Sequence, residues 1–173
     1  MSPLAPCSPG AVAAIVLAAG KSSRMRGFKP MAPFGGETVV ARVVANLRGA
    51  GVERIHVVTG FNAEALAPEL HRLGVTIAHN SGFERGMMSS VQTGVASLPQ
   101  DAEAFLLLPV DMPLVRPQTI ARLLGAASAD GAAIHYPTFR GERGHPPLIR
   151  RALFQDILEW NGEGGLLALL KGH

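Results

Sequence analysis

The feature that most constrains this 173-residue chain is its alternation of short apolar runs with longer stretches carrying apolar residues at helical spacing. Val12 to Leu17 reads as a buried strand, with a loop from Ala18 to about Pro30. Thr38 to Ala50 places Val39, Val40, Val43, Val44 and Leu47 on one face and ends among Gly49 and Gly51, which predicts a helix. The same reading gives strands at Arg54 to Thr59, Val75 to His79, Ala104 to Val110 and Ala132 to Tyr136. Helices are predicted at Ala63 to Leu73, Ser89 to Leu98 and Gln118 to Ala127, the last preceded by Pro117. Two more are predicted around Arg151 to Trp160 and at Gly165 to Lys171. Strands that alternate with helices build a mostly parallel sheet covered on both faces. Ligands of such sheets bind beyond the carboxyl ends of the strands. The loops after Leu17, Thr59, His79 and Val110 are therefore the candidate sites.

Composition narrows the function. With 47% hydrophobic and 17% charged residues, the chain has the apolar content for one sizeable core, and extended disorder is not expected. No apolar run approaches the roughly 18 to 20 residues that cross a bilayer. A single cysteine, Cys7, excludes an internal disulfide, and no Cys/His spacing suits a structural zinc. The opening stretch holds Pro3, Pro6 and Pro9 and no basic residue ahead of its apolar ones. It reads as a loose tail over residues 1–11 on a cytoplasmic protein, with one domain over 12–173. One Trp, one Tyr and dispersed arginines speak against a nucleic-acid surface.

Charge is concentrated where it matters. No acidic residue precedes Glu37, yet Lys21, Arg24, Arg26 and Lys29 fall within nine residues of one another. Gly20-Lys21-Ser22 imitates the end of a Walker A loop, but Ile15 stands where its first glycine belongs. The dinucleotide fingerprint also fails, because Ser22 and Met25 replace its second and third glycines. What remains is a run of small residues after a strand, whose backbone N–H groups can approach phosphate oxygens. Arg24 offers a planar fork and Lys29 a point charge. The bland alternative is a glycine turn with solvated basic side chains. Among only four aspartates, Asp111 alone follows a strongly apolar strand, a position suited to Mg²⁺, which takes one or two carboxylates plus phosphates and water.

Four segments occur in order: Leu-Ala-Ala-Gly-x-Ser-x-Arg-Met with Lys29, Asn80 to Val91, Pro109 to Pro113, and Gly144-His145-Pro146. Together they resemble the MobA-like nucleotidyltransferases, in particular the molybdenum cofactor cytidylyltransferase branch, over nearly the whole chain from Val12. The resemblance implies a Rossmann-like three-layer α/β/α fold. It also implies transfer of a nucleoside monophosphate from CTP to the terminal phosphate of the molybdopterin cofactor, with release of pyrophosphate. In that reading Leu17, Ala18, Ala19, Gly20 and Ser22 line the nucleotide, Arg24 and Lys29 hold the triphosphate, and Asp111 binds Mg²⁺. Asn80, Gly86, Ser89 and Ser90 shape the nucleotide pocket, and His145 faces the acceptor. Guanylyl relatives carry glycine where this chain has Ala19, which favours cytidine.

The residues have plainer readings too. Gly82 and Gly86 can make turns, Met87 and Met88 can be core, Ser89 can cap a helix and His145 can order its turn. Arg26 stands where the family has glycine, with the Arg24 to Lys29 spacing kept. The family pattern also includes a C-terminal Asp-x-Asp-Thr-Pro-like segment with a second acidic metal contact, and the sequence ends at His173 ahead of it. A truncated chain, another carboxylate or impaired catalysis are the readings this leaves open. Alternatives to cytidylyl transfer are GTP as donor, another small phosphorylated acceptor, or a non-catalytic chaperone carrying the cofactor to a molybdoenzyme client.

Overall fold

The computed structural model describes residues 7–21 and 27–172. Its strands are β1 (Val12–Leu17), β2 (Pro33–Phe34), β3 (Glu37–Thr38), β4 (Arg54–Thr59), β5 (Thr76–His79), β6 (Ala104–Pro109), β7 (Ile134–His135), β8 (Thr138–Phe139), β9 (Glu142–Arg143) and β10 (Leu148–Arg150). Its helices are α1 (Val39–Gly49), α2 (Ala63–Leu73), α3 (Met87–Ala96), α4 (Pro117–Ala129), α5 (Phe154–Glu159) and α6 (Gly165–Lys171). The main sheet has the order β5-β4-β1-β6-β10-β7. Its first four strands are parallel, and β10 runs antiparallel to both neighbours. The small hairpins β2–β3 and β8–β9 stand apart from it.

Side-chain alternation along each strand separates two cores. Val12, Ala14 and Val16 of β1 and Leu106 and Leu108 of β6 face α1, α2 and α4. Ile15 and Phe105 face the other way, onto α3, α5 and α6. The result is three layers, as the alternation implied. The chain steps from β1 to β4 to β5 in one direction and from β5 back to β6 in the other, so right-handed crossovers put α1 and α2 on one face and α3 on the opposite one. The direction reverses between β1 and β6. There the crevice opens.

The helix ends follow local chemistry. Thr38 caps α1, its Oγ1 accepting from the Ala41 N–H at 3.2 Å, and Pro117 opens α4, where a missing N–H costs nothing. Helix α3 lies close on the sheet because Gly94 has no side chain: a Cβ there would stand 2.5 Å from Ile15 Cγ2.

Several elements depart from the sequence reading. Helix α3 begins at Met87 rather than Ser89, its cap is Gly86, and Met87 is exposed rather than core. The strand expected over Ala132 to Tyr136 pairs only at Ile134–His135. Strand β10 was not expected; its three residues are too short to show a period, and it sits between β6 and β7. Cys7 to Ala11 is not loose. The Cys7 N–H donates to Ala127 at 3.2 Å, the Ser8 N–H donates to Glu103 at 2.9 Å, and the thiol is buried at 3% exposure. Burial, and then the Glu103 carboxylate, push the Cys7 thiol up to about 11. No helix among the described residues is long and apolar enough to cross a membrane.

Candidate active site

The ends of β1 and β6 are tied together past their last paired residues. The Val110 N–H donates to Leu17 at 3.0 Å and the Ala18 N–H donates to Val58 at 2.9 Å, so the chain is held from both sides until Ala18. Ala19 accepts from the Phe61 N–H at 3.1 Å. Gly60 closes the floor beneath it, where a Cβ would meet Ala19 Cβ at 2.9 Å and Phe83 Cβ at 2.8 Å. Leu17, Ala18, Ala19 and Gly20 thus form one wall of a cleft of about 360 Å³. Lys29, Gly86, Ser90 and Asp111 line the rest, with Phe83 and Met87 beside them.

Across the mouth, Lys29 Nζ lies 3.4 Å from Asp111 Oδ2, the two side chains being 27% and 51% exposed. The strand end delivers the carboxylate, and a short 3-10 turn at Lys29–Met31 delivers the ammonium. Phe28, packed edge-on against Phe61 at 6.3 Å, anchors that turn from below. Asn46 of α1 donates to the Pro113 carbonyl at 2.9 Å and pins the loop that carries Asp111. On the rim, Lys21 is hydrogen-bonded to Glu84, and that bond holds the Glu84 carboxyl below the usual carboxylate range.

Not every expected residue lies in the wall. Asn80 and Ser89 are buried beneath the cleft, joined by an Nδ2–Oγ hydrogen bond of 2.9 Å, and brace the loop after β5 against α3. Ser22 and Arg24 lie outside the described residues. His145 lines a second cavity of about 590 Å³, which adjoins the first and shares Leu17, Met87 and Pro109 with it. Sequence reasoning named only His145 and Leu17 there. The structure adds Arg85, Tyr136, Arg143 and the Gly162 to Leu170 stretch, with the Arg143 guanidinium 4.7 Å from the Tyr136 ring centre. No single segment carried a signal for this cavity, because its pieces meet only when β7 and β10 pair.

A cleft at the reversal point of a sheet in this order defines the α/β nucleotidyltransferase fold. Residues 14–173 match the MobA-like NTP transferase domain, and the chain belongs to that family. It is 33% identical over 145 residues to the bifunctional protein GlmU of Geobacter metallireducens, an alignment covering 82% of this chain and 30% of that relative. The chain therefore spans between a quarter and a third of the length of the curated relatives it matches. Among solved structures, a nucleotidyl transferase from Methanothermobacter thermautotroptrophicus superposes with a TM-score of 0.78 at 28% identity, over 92% of this chain and 80% of that one. Rv0371c from Mycobacterium tuberculosis gives a TM-score of 0.81 at 24% identity, over 92% and 82% of the two chains. A manganese complex of Rv0371c superposes with a TM-score of 0.75 at 23% identity, over 98% and 83%.

Proposed function

We propose that the domain over residues 12–173 transfers a nucleoside monophosphate from a nucleoside triphosphate to a phosphorylated acceptor, and that the pair is CTP and the molybdopterin cofactor. The observation that carries the transfer reading is the Lys29–Asp111 pair at the mouth of the cleft. One cation and one carboxylate, side by side where two strands end, match the two charges of a metal–triphosphate complex. Lys29 would turn to the phosphates and Asp111 to the metal. A single exposed carboxylate suits Mg²⁺, which keeps phosphate and water as its other ligands. When bound, Mg²⁺ neutralises phosphate charge. The manganese held by the Rv0371c structure supports a divalent ion in this fold.

The chemistry asks little of protons. An acceptor phosphate oxygen forms a bond to the α-phosphorus, the bond from that phosphorus to the bridging oxygen breaks, and pyrophosphate leaves with the electron pair. Anions must be brought together and held in line, so positioning and charge carry the catalysis. Lys29 offsets charge at the α-phosphate, and by its place in the motif Arg24 grips the outer phosphates. Leu17 to Gly20 let the base and sugar lie against bare backbone, and Ala19 favours cytidine. Gly86 ends the opposite wall with a positive φ of 101° and leaves it open.

The second cavity supports a flat acceptor. Its described lining contains no carboxylate, carboxamide, serine or threonine, whereas a hydroxyl-rich sugar phosphate needs several such partners. Met88, Val91, Leu107 and Leu166 offer apolar walls, and Gly162, Gly164 and Gly165 present backbone groups to a polar ring edge. Arg85 and Arg143 supply the positive side that a phosphate acceptor requires, with His145 beside them.

The test is a thermal-shift panel of CTP, GTP, ATP and UTP with and without Mg²⁺, followed by pyrophosphate release with the cofactor as acceptor. A ligand at 100 times its Kd stabilises the folded state by about 2.7 kcal/mol. A Mg²⁺-dependent shift with CTP alone is the expected result. A shift with GTP alone moves the donor assignment to guanosine. Pyrophosphate release with a sugar phosphate but not with molybdopterin overturns the acceptor.

A further inference from the structure

Helix α5 is only six residues long, and the last carbonyls of a helix have no partner within it. A single side chain gathers them. Gln92, midway along α3, turns its amide to the Ile157, Leu158 and Trp160 carbonyls, with Nε2 at 3.1, 3.2 and 2.9 Å. Carbonyl oxygens only accept, so the branch facing them is the NH₂, and its two hydrogens are shared among three acceptors.

The clamp ends at Trp160, where the chain leaves α5 for α6. The Trp160 indole Nε1 is buried and meets no acceptor among the described residues, so the residue is held by packing and by its main chain. Gly162 folds back on its ring: a Cβ there would stand 2.8 Å from Trp160 Cζ2. Gly162, Gly164 and Gly165 line the second cavity, whereas neither Gln92 nor Trp160 is among its described lining residues. A wall of glycines has no side chains of its own to seat it. Its place is set at its two ends, by the leucines of α6 behind it and by Trp160 ahead of it.

We infer that Gln92 is a positioning residue for the acceptor: it ties the glycine wall of the second cavity to α3, the helix that also borders the first cleft. The inference rests on the reading of the second cavity as the acceptor site. The wall offers main-chain N–H and C=O groups, which engage a polar ring edge only within a narrow range of distance and angle. Loss of the clamp lets that wall shift and weakens the acceptor, while the first cleft keeps its shape.

The experiment is steady-state pyrophosphate release with Mg²⁺ and CTP or GTP, the molybdopterin cofactor and a sugar 1-phosphate each being offered as acceptor, alongside calorimetric titration with the triphosphate. Trp160 is the chain's one tryptophan, so its fluorescence reports the wall directly. Gln92→Met keeps the length and helix propensity of the side chain but donates nothing. It is expected to raise acceptor KM about tenfold, to leave kcat and triphosphate affinity within about twofold, and to shift the Trp160 emission. Gln92→Lys, which can donate to the same carbonyls, is expected to bring KM back to within about threefold of wild type. An unchanged KM or emission in Gln92→Met, a parallel loss of triphosphate affinity, or a Gln92→Lys no better than Gln92→Met each overturns the inference. A wild type that uses the sugar phosphate instead changes the identity of the acceptor, and the same KM split then decides the role of Gln92 with that acceptor. One that releases pyrophosphate with neither removes the acceptor reading and this assignment with it, a result distinct from the others.

Discussion

The two cavities at the carboxyl edge of the sheet are built in opposite ways. The cleft between β1 and β6 takes its wall and its carboxylate from residues within a few positions of a strand end, Leu17 to Gly20 and Asp111, and only its ammonium from the turn at Lys29. The second cavity is assembled from distant segments, with Arg85 ahead of α3, Tyr136 to Pro147 between β7 and β10, and Gly162 to Leu170 from the last helices. The first is a consequence of sheet topology. The second depends on an excursion from it. Damage to the first should therefore impair nucleotide handling with every acceptor, whereas damage to the second should be felt by the acceptor alone.

The largest expected effect breaks this separation. Helix α3 borders both cavities, with Ser90 toward one and Met88 and Val91 toward the other. Gly94→Val would drive a side chain into Ile15 and lift the helix, at about 2 to 3 kcal/mol of stability. Denaturant melts should show that loss, and titrations should show both ligands binding more weakly. Next, Lys29→Ala and Asp111→Ala should each cut turnover at least tenfold, about 1.4 kcal/mol in the barrier, with every acceptor tried. Steady-state pyrophosphate release measures this, and an unchanged rate in a folded variant removes that residue from the mechanism. Arg143→Ala sharpens the contrast, with an expected rise in acceptor KM of about fivefold to tenfold and no change in nucleotide affinity. Equal changes in both would abolish the distinction between the cavities.

The smallest effect concerns the supports of the first cleft. His56 on β4 is buried, and its Nδ1 lies 3.0 Å from Ser97 Oγ, which gives its own proton to Gly94 at 2.7 Å. With the Ser97 proton committed, His56 Nδ1 carries the hydrogen of their bond, and burial lowers the imidazole pKa from the ordinary 6.5. With the folded pKa below the unfolded one, its contribution to stability is present above about pH 6.5 and is lost as pH falls through the folded value. Chemical melts between pH 7 and pH 5 should show a decline that His56→Gln flattens. An equal decline in the variant assigns the acid sensitivity elsewhere.

The comparison also explains what the sequence made legible. Strands β1 and β4 matched the expected bounds because each is a compact, mostly apolar run, and helix α2 because its apolar residues stop at Leu73 with Gly74 behind it. The wall from Leu17 to Gly20 and the place of Asp111 followed from knowing where strands end. Strand β10 escaped because three residues after Pro146-Pro147 carry no period, and their pairing with β6 and β7 is entirely long-range. The second cavity escaped with it. The family resemblance puts Asn80 and Ser89 with Ser90 in the nucleotide wall; all three share one hydrogen-bond cluster, and only their place relative to the cleft, which residue order does not carry, separates brace from wall. Cys7 was hidden among prolines, where composition suggests looseness; its anchor is the far end of α4.

The reversed direction of β10 has an architectural consequence. Strand β7 leaves the sheet at the carboxyl edge, and β10 re-enters at that same edge, with Leu148 paired to His135. Everything between, including the β8–β9 hairpin, Arg143 and His145, departs from and returns to one rim without crossing the sheet. Such a segment can be lengthened, shortened or exchanged while both of its anchoring strands keep their register. Under the proposed function, the acceptor-facing surface is a replaceable cassette clipped onto a fixed nucleotide platform.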